Sequence, residues 1–162
     1  MKIAVMPGSF DPFTIGHADR LVRACGLFDY VYVGVLVNVN KASAFTLSER
    51  VAQIKKVISE LGLKNADAES FEGLLTDFIK KKNACAVVRG LRSLNDFQNE
   101  LTQFDINKRI APDTETVCLF SKPELACISS STVKELCSFG YDISGLVPDC
   151  IYKEIRERLC RK

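Results

Sequence analysis

A chain of 162 residues with 47% hydrophobic and 26% charged residues is long enough to bury one sizeable core, and its composition is that of a globular protein and not a disordered one. Its formal net charge of +2, with both signs spread along the sequence, excludes the clustered basic footprint of a nucleic-acid binder, and no apolar run reaches the length that would span a membrane. Seven cysteines, an odd number with no Cys-x-x-Cys pair, and a single histidine supply no zinc set, so no dedicated metal site is expected and the thiols read as small buried groups in a reducing cytoplasm.

The opening MKIAVMPG is apolar but quickly broken by Pro7 and Gly8, too short for a signal peptide. Lys2 to Met6 reads as a strand, followed by a glycine-containing turn and a helix in which Leu21, Ala24, Cys25 and Phe28 recur at helical spacing. Tyr30 to Val37 is nearly all apolar or β-branched, as in a strand covered on both faces. After a polar loop, Thr46 and Glu49 form a capping-box pattern ahead of a helix with Val51, Ile54, Ile58 and Leu61 on one face.

Ala66 to Phe71 is a third strand, and Leu74 to Lys82 a helix that turns Leu75, Phe78 and Ile79 inward. Ala84 to Val88 is the next strand, and Leu94, Phe97, Leu101 and Phe104 mark a long helix after it. Thr116 to Phe120 is the fifth strand; Val133, Leu136 and Cys137 give the next helix its apolar face, with Gly140 placed to end it. A last amphipathic helix opens at Pro148 and Asp149 and runs through Ile151, Ile155 and Leu159.

Strands alternating with helices predict one α/β domain over residues 1–162: a Rossmann-like open parallel five-stranded sheet with helices on both faces, plus C-terminal helices. Ligands of such sheets sit beyond the carboxyl ends of the strands. The segments of unusual polar chemistry all follow strands: Pro7 to His17, Asn38 to Lys41, Phe71 to Leu75, Arg89 to Arg92 and Ser129 to Ser131. They are expected to converge on one edge.

Gly8 permits a tight turn and Gly16 removes a side chain where a helix begins, so an anion can approach the amides there, with His17 in the first turn. A lone histidine at a helix start also serves as partner to a nearby backbone group. Ser129, Ser130 and Ser131 offer hydroxyls and free amides at another helix start, where a single N-cap would need only one of them. Arg89 and Arg92 suit bidentate phosphate contact, although two arginines on a surface turn are also commonplace. Neither a G-x-S-x-G elbow nor a Walker P-loop is present, and general-base candidates are few. That inventory points to a reaction whose nucleophile arrives already charged, with the protein positioning it and stabilising charge at phosphorus.

Taken together, PGSFDPFTIGH, Lys41 with Phe45-Thr46 and Glu49-Arg50, FEGLL at 71–75, VRGLR at 88–92, DFQNE at 96–100 and ISSSTVKEL at 128–136 resemble the bacterial phosphopantetheine adenylyltransferase family of T/H-x-G-H nucleotidyltransferases. The resemblance covers nearly the whole chain. It implies transfer of AMP from ATP to 4′-phosphopantetheine, giving dephospho-coenzyme A and pyrophosphate, the penultimate step of coenzyme A synthesis. It also implies a catalytic group of His17, Ser9, Lys41 and Arg92. ATP would be held by Ser9, Phe10, His17, Gly90, Leu91, Arg92, Glu100 and the loop Leu125, Ala126, Cys127, Ile128, Ser129, Ser130 and Ser131. The second substrate would meet Ser9, Lys41, Leu75 and Arg89. Magnesium would come with ATP, coenzyme A and dephospho-coenzyme A would bind as inhibitor or product, and the assembly would be a homohexamer. Met6, Ala42-Ser43-Ala44 and Leu125-Ala126-Cys127 depart from the family's usual residues. The alternatives are another nucleotidyltransferase of the superfamily and a catalytically silent nucleotide-binding module.

Overall fold

The computed structural model describes residues 1–36 and 42–160. Its elements follow the expected alternation: β1 (Ile3–Gly8), α1 (Ile15–Leu27), β2 (Tyr30–Leu36), α2 (Leu47–Glu60), β3 (Ala66–Phe71), α3 (Leu75–Lys82), β4 (Ala86–Leu91), α4 (Leu94–Ile110), β5 (Glu115–Phe120), α5 (Ser130–Ser138) and α6 (Asp149–Leu159). A 3-10 turn at Pro123–Leu125 lies between β5 and α5.

The strands form one parallel sheet in the order β3-β2-β1-β4-β5. The chain therefore moves outward from β1 to β3 and returns to the other flank of β1, which makes the β1/β4 border the point where strand order reverses. Those two strands are in register only at Ala4↔Ala86 and Val5↔Val87 and then part, opening a crevice at their carboxyl ends.

Two strands, β1 and β4, differ from the sequence reading by more than one residue at an end. β1 continues past Met6 because Pro7 and Gly8 stay in register with Gly34 and Val35 of β2, and Pro7 sits beyond the β4 pairing, where its missing N–H leaves no gap. β4 starts at Ala86 and runs through Leu91, because Arg89, Gly90 and Leu91 pair with Cys118, Leu119 and Phe120 of β5. Arg89 is thus a strand residue and not part of a turn.

Side-chain alternation along β1 sends Ala4 and Met6 to one face and Val5 to the other. On the first face, Leu21, Ile54, Val133, Cys137, Ile151 and Ile155 from four helices close a large core, each aliphatic contributing roughly 1.5–3 kcal/mol by leaving water. On the second, Phe78 and Ile79 of α3 cover Val5 and Val87. Met6 lies within the first core and does not line the crevice. The capping box foreseen for α2 is formed: Thr46 Oγ1 accepts from the Glu49 amide at 3.2 Å and Glu49 Oε2 from the Thr46 amide at 2.8 Å.

Helix α4 is the exception to burial. None of its residues is buried, and Leu94, Phe97 and Leu101 are 82%, 49% and 49% exposed. Phe120, at the end of the edge strand β5, is likewise exposed.

Candidate active site

The crevice between β1 and β4 holds a cavity of about 300 Å³. Its wall is formed by the loop after β1, by Arg89, Gly90 and Arg92, by Glu100 of α4, and by Leu125, Ile128 and the serine run. The segments after β1, β4 and β5 thus meet as expected. The loop after β3 leads elsewhere: Leu75 lines a smaller neighbouring cleft of about 150 Å³, which shares Arg89 and Glu100 with the main cavity. Lys41 and the loop Asn38 to Lys41 lie outside the described residues.

The loop from Ser9 to Thr14 is fastened from several sides. Phe10 adopts a left-handed backbone (φ 47°), sparsely populated for a bulky residue, and the Asp11–Pro12 peptide is cis. The carboxylate of buried Asp11 accepts from the amides of Ala44 and Phe45, both at 3.0 Å, and pairs with Lys134 at 3.2 Å. Arg50 donates to the Ser9 carbonyl at 2.7 Å, and Ser130 Oγ to the Pro12 carbonyl at 2.8 Å. Phe10 is buried; its ring packs against Phe13 and meets the His17 imidazole edge-on, with centroids 5.1 Å apart. Ser9 is exposed on the cavity wall.

His17 has two distinct nitrogens in this setting. The Thr14 amide donates to Nδ1 at 3.0 Å, while the Thr14 hydroxyl caps α1 by accepting from the His17 amide at 3.4 Å. An acceptor at Nδ1 places the proton of the neutral ring on Nε2. Burial, with Arg20 and Arg92 adding repulsion, pulls the His17 pKa down to about 3. At neutral pH the residue is an uncharged donor.

The arginines of the site differ in their partners. Arg89 makes a bidentate pair with Glu100, at 2.5 and 2.7 Å, and donates to the Pro7 carbonyl at 3.3 Å. Arg92 is held by Asp96 at 3.2 Å. Burial raises the Asp96 pKa, and the hydrogen bonds from Arg92 outweigh it, so the carboxyl lies below its usual range. Arg20, which the sequence reading passed over, also lines the cavity. Its position three residues after His17 on α1 is the signal that would have found it, since that spacing shares a helix face.

The three serines have separate tasks. Ser129 is the N-cap of α5, accepting from the Thr132 amide at 3.0 Å; Ser130 is tied to Pro12; the Ser131 hydroxyl is exposed at the cavity. Leu125 and Ile128 line the cavity, whereas Ala126 and Cys127 are not among its lining residues. Leu91 is buried, and Gly90 presents its backbone.

This arrangement offers a neutral donor at a helix start, free amides at the start of α5 and the guanidiniums of Arg89 and Arg92, a match to phosphate oxygens around one reacting centre. Comparison with known proteins agrees. Residues 5–136 match the cytidylyltransferase-like family. The chain is 47% identical over 159 residues to a phosphopantetheine adenylyltransferase of Clostridium beijerinckii, covering 98% of this chain and 99% of that one. It is 43% identical to the protein of that name from Clostridium tetani, covering 100% and 98%. Among solved structures, a bifunctional NMN adenylyltransferase/ADP ribose pyrophosphatase from Francisella tularensis has the same fold, with a TM-score of 0.70 at 16% identity. That likeness covers 96% of this chain and 49% of the other, so the chain spans about half of that protein.

Proposed function

Because the chain belongs to the phosphopantetheine adenylyltransferases of the cytidylyltransferase-like family, we propose that its cavity brings ATP and 4′-phosphopantetheine together around His17. The reaction is adenylyl transfer, giving dephospho-coenzyme A and pyrophosphate. An oxygen of the phosphopantetheine phosphate bonds to the α-phosphorus, the bond from that phosphorus to the oxygen bridging to the β-phosphate breaks, and the electron pair leaves with pyrophosphate. A phosphate monoester with a second pKa near ~6 is largely dianionic at neutral pH, so no side chain has to remove a proton.

What carries this reading is His17, with Nδ1 engaged by Thr14 and Nε2–H left for a non-bridging α-phosphate oxygen as charge accumulates there. Ser9, Arg92 and the free amides at the start of α5 assist in holding ATP, together with the backbone at Gly90 and Leu91. Arg89 holds the acceptor phosphate with Lys41, and its salt bridge to Glu100 aims it. The neighbouring cleft at Leu75 takes the pantetheine arm. Magnesium arriving with ATP would supply charge neutralisation at its phosphates, with no dedicated protein cage needed to hold it. Asp96 and Glu100 are already engaged by arginines, which fits an ion carried by phosphates and water.

We assign the protein to the cytoplasm, in keeping with its seven free thiols, of which only Cys137 is buried and Cys85, Cys118 and Cys127 are exposed, against the expectation of buried groups; among the described residues no helix is long and apolar enough to cross a membrane. We also propose that it is a homo-oligomer, a hexamer by family resemblance, with coenzyme A as a product-like inhibitor. The exposed apolar residues of α4 support self-association. Light scattering should report a single oligomer for the native chain and a smaller species for Phe97→Asp/Leu101→Asp.

The deciding assay is pyrophosphate release from ATP and magnesium. Dependence on 4′-phosphopantetheine is expected; equal release with nicotinamide mononucleotide would overturn the substrate assignment.

A further inference from the structure

The guanidinium of Arg20 lies on Gly90. A Cβ built on that glycine would stand 2.0 Å from Cζ and Nη2 of Arg20 and 2.1 Å from Nε. Three atoms of the planar group at nearly equal distance mean that its face, and not its edge, covers the glycine. Only the missing side chain at Gly90 allows this seat, and Arg20 is also one of the residues lining the cavity.

Arg20 also lacks an ion-pair partner among the described residues. Glu100 is taken by Arg89 and Asp96 by Arg92. Its chain neighbour Asp19 is taken by Lys122 at 2.7 Å and Arg23 at 3.3 Å. Burial, and repulsion from Arg92 and Arg89, disfavour its charge, and the attraction of Asp96 and Glu100 only partly offsets them. A desolvated cation left unpaired in a cavity wall is costly unless a ligand completes it.

Two partners are chemically conceivable, a phosphate oxygen or the π-face of the base, and position separates them. The phosphate-binding groups, His17 and the amides of Ser130 and Ser131, belong to two helix starts fastened together through Ser130 and Pro12. Arg20 stands one turn further along α1, away from that junction and over β4. Leu125 and Ile128 supply apolar lining to the same cavity. A planar cation with apolar side chains complements a nucleobase.

Resting on the adenylyltransferase reading above, we propose that Arg20 is a further nucleotide-contacting residue, whose guanidinium, seated on Gly90, stacks on the adenine ring of ATP. Lysine at this position keeps the charge and loses the plane.

The test is binding of adenosine, ATP and inorganic tripolyphosphate to the wild-type protein and to Arg20→Lys. Adenosine and ATP affinities should fall together, by about 3- to 30-fold, the range of a desolvated cation–π contact. Tripolyphosphate affinity and the KM for 4′-phosphopantetheine should hold, and kcat should stay within about twofold. Gly90→Ala gives a second route, since the new methyl evicts the guanidinium with Arg20 still present. It should weaken adenosine comparably, and the double variant should be no worse than either single one. Unchanged adenosine affinity in Arg20→Lys, or a loss confined to ATP and tripolyphosphate, would overturn the stacking role. Adenosine binding that responds to Arg20 in a protein that releases no pyrophosphate with 4′-phosphopantetheine would instead sink the substrate assignment and leave the stacking role standing.

Discussion

The backbone amide of Thr14 donates to Nδ1 of His17 at 3.0 Å, and through that contact one helix cap sets the chemistry of the site. A histidine that closes a capping box and a histidine that meets a ligand are usually alternatives. Under the proposed reaction the two are compatible, because Thr14 engages Nδ1 and leaves Nε2 for a ligand.

On the proposed mechanism His17 would act as a donor and not as an acid, base or cation. His17→Ala should lower kcat on the order of a hundredfold or more while ATP affinity stays within a few-fold, as for a contact made in the transition state. His17→Gln keeps an N–H donor and should recover part of that loss. The acid limb of the rate profile, near ~6, belongs to the substrate phosphate and should be the same in wild type and in His17→Gln. Pre-steady-state turnover across pH 5–8 measures this, and an acid limb that disappears with the imidazole would mean that the ring itself titrates.

The same histidine makes folding sensitive to acid. In the unfolded chain its pKa is near ~6.5, and in the folded protein it is held down at about 3. Above the upper value neither state carries the proton and the residue contributes no pH dependence. Between the two values the unfolded chain binds the proton and the folded one does not, so stability falls as pH drops through this window. Urea midpoints for wild type and His17→Gln should converge above ~pH 7 and separate below ~pH 6, with the wild type losing more. Parallel curves throughout would show that the ring is freely protonated in the fold.

The elements were largely legible in the sequence because apolar periodicity reports burial, and the residues at 30–36 and 66–71 are strands nearly end to end as read. β4 was cut short at Val88 because Arg89 and Gly90 resemble a turn; they are a strand because Cys118 and Leu119 of β5 pair with them, a fact of tertiary registration. The serine run shows a second limit: three identical residues become a cap, a tether and an exposed hydroxyl only when Pro12 arrives beside α5. Arg20 was hidden for a related reason. On an amphipathic helix an arginine reads as solvated, and nothing local announces that Gly90, on a distant strand, will accept its guanidinium.

Two glycines offer a paired test of how the site is held. A Cβ on Gly8 would meet the Phe10 ring at 2.8–3.1 Å, and that ring is wedged between Phe13 and His17. A Cβ on Gly34 would meet the Phe78 ring at 2.8 Å, on the sheet face served by α3. Each alanine substitution overpacks a ring and should cost about 1–3 kcal/mol. Only Gly8→Ala should also lower kcat, by displacing the imidazole; Gly34→Ala should leave kcat near wild type. Thermal melts beside steady-state kinetics separate the two, and equal kinetic damage from both would show that His17 responds to global strain and not to Phe10.

Asp11 sets the position of the loop from Ser9 to Thr14 through backbone amides more than through its ion pair. Its carboxylate satisfies the N–H groups of Ala44 and Phe45, and the partner cation Lys134 is about one-third exposed, where solvent screens the charge. Lys134→Met should therefore cost under about 1 kcal/mol. Asp11→Ala leaves two amides without acceptors in a site that water barely reaches, at about 2–5 kcal/mol, and Asp11→Asn should fall between, since one oxygen remains while its NH2 group faces a donor. Because Asp11 lies between Ser9 and Thr14, loosening it releases the turn that delivers His17, and kcat should fall in the same order as stability. Denaturation midpoints and kcat for the three variants test that order. A Lys134→Met as damaging as Asp11→Ala would place the clamp in the ion pair and not in the amides.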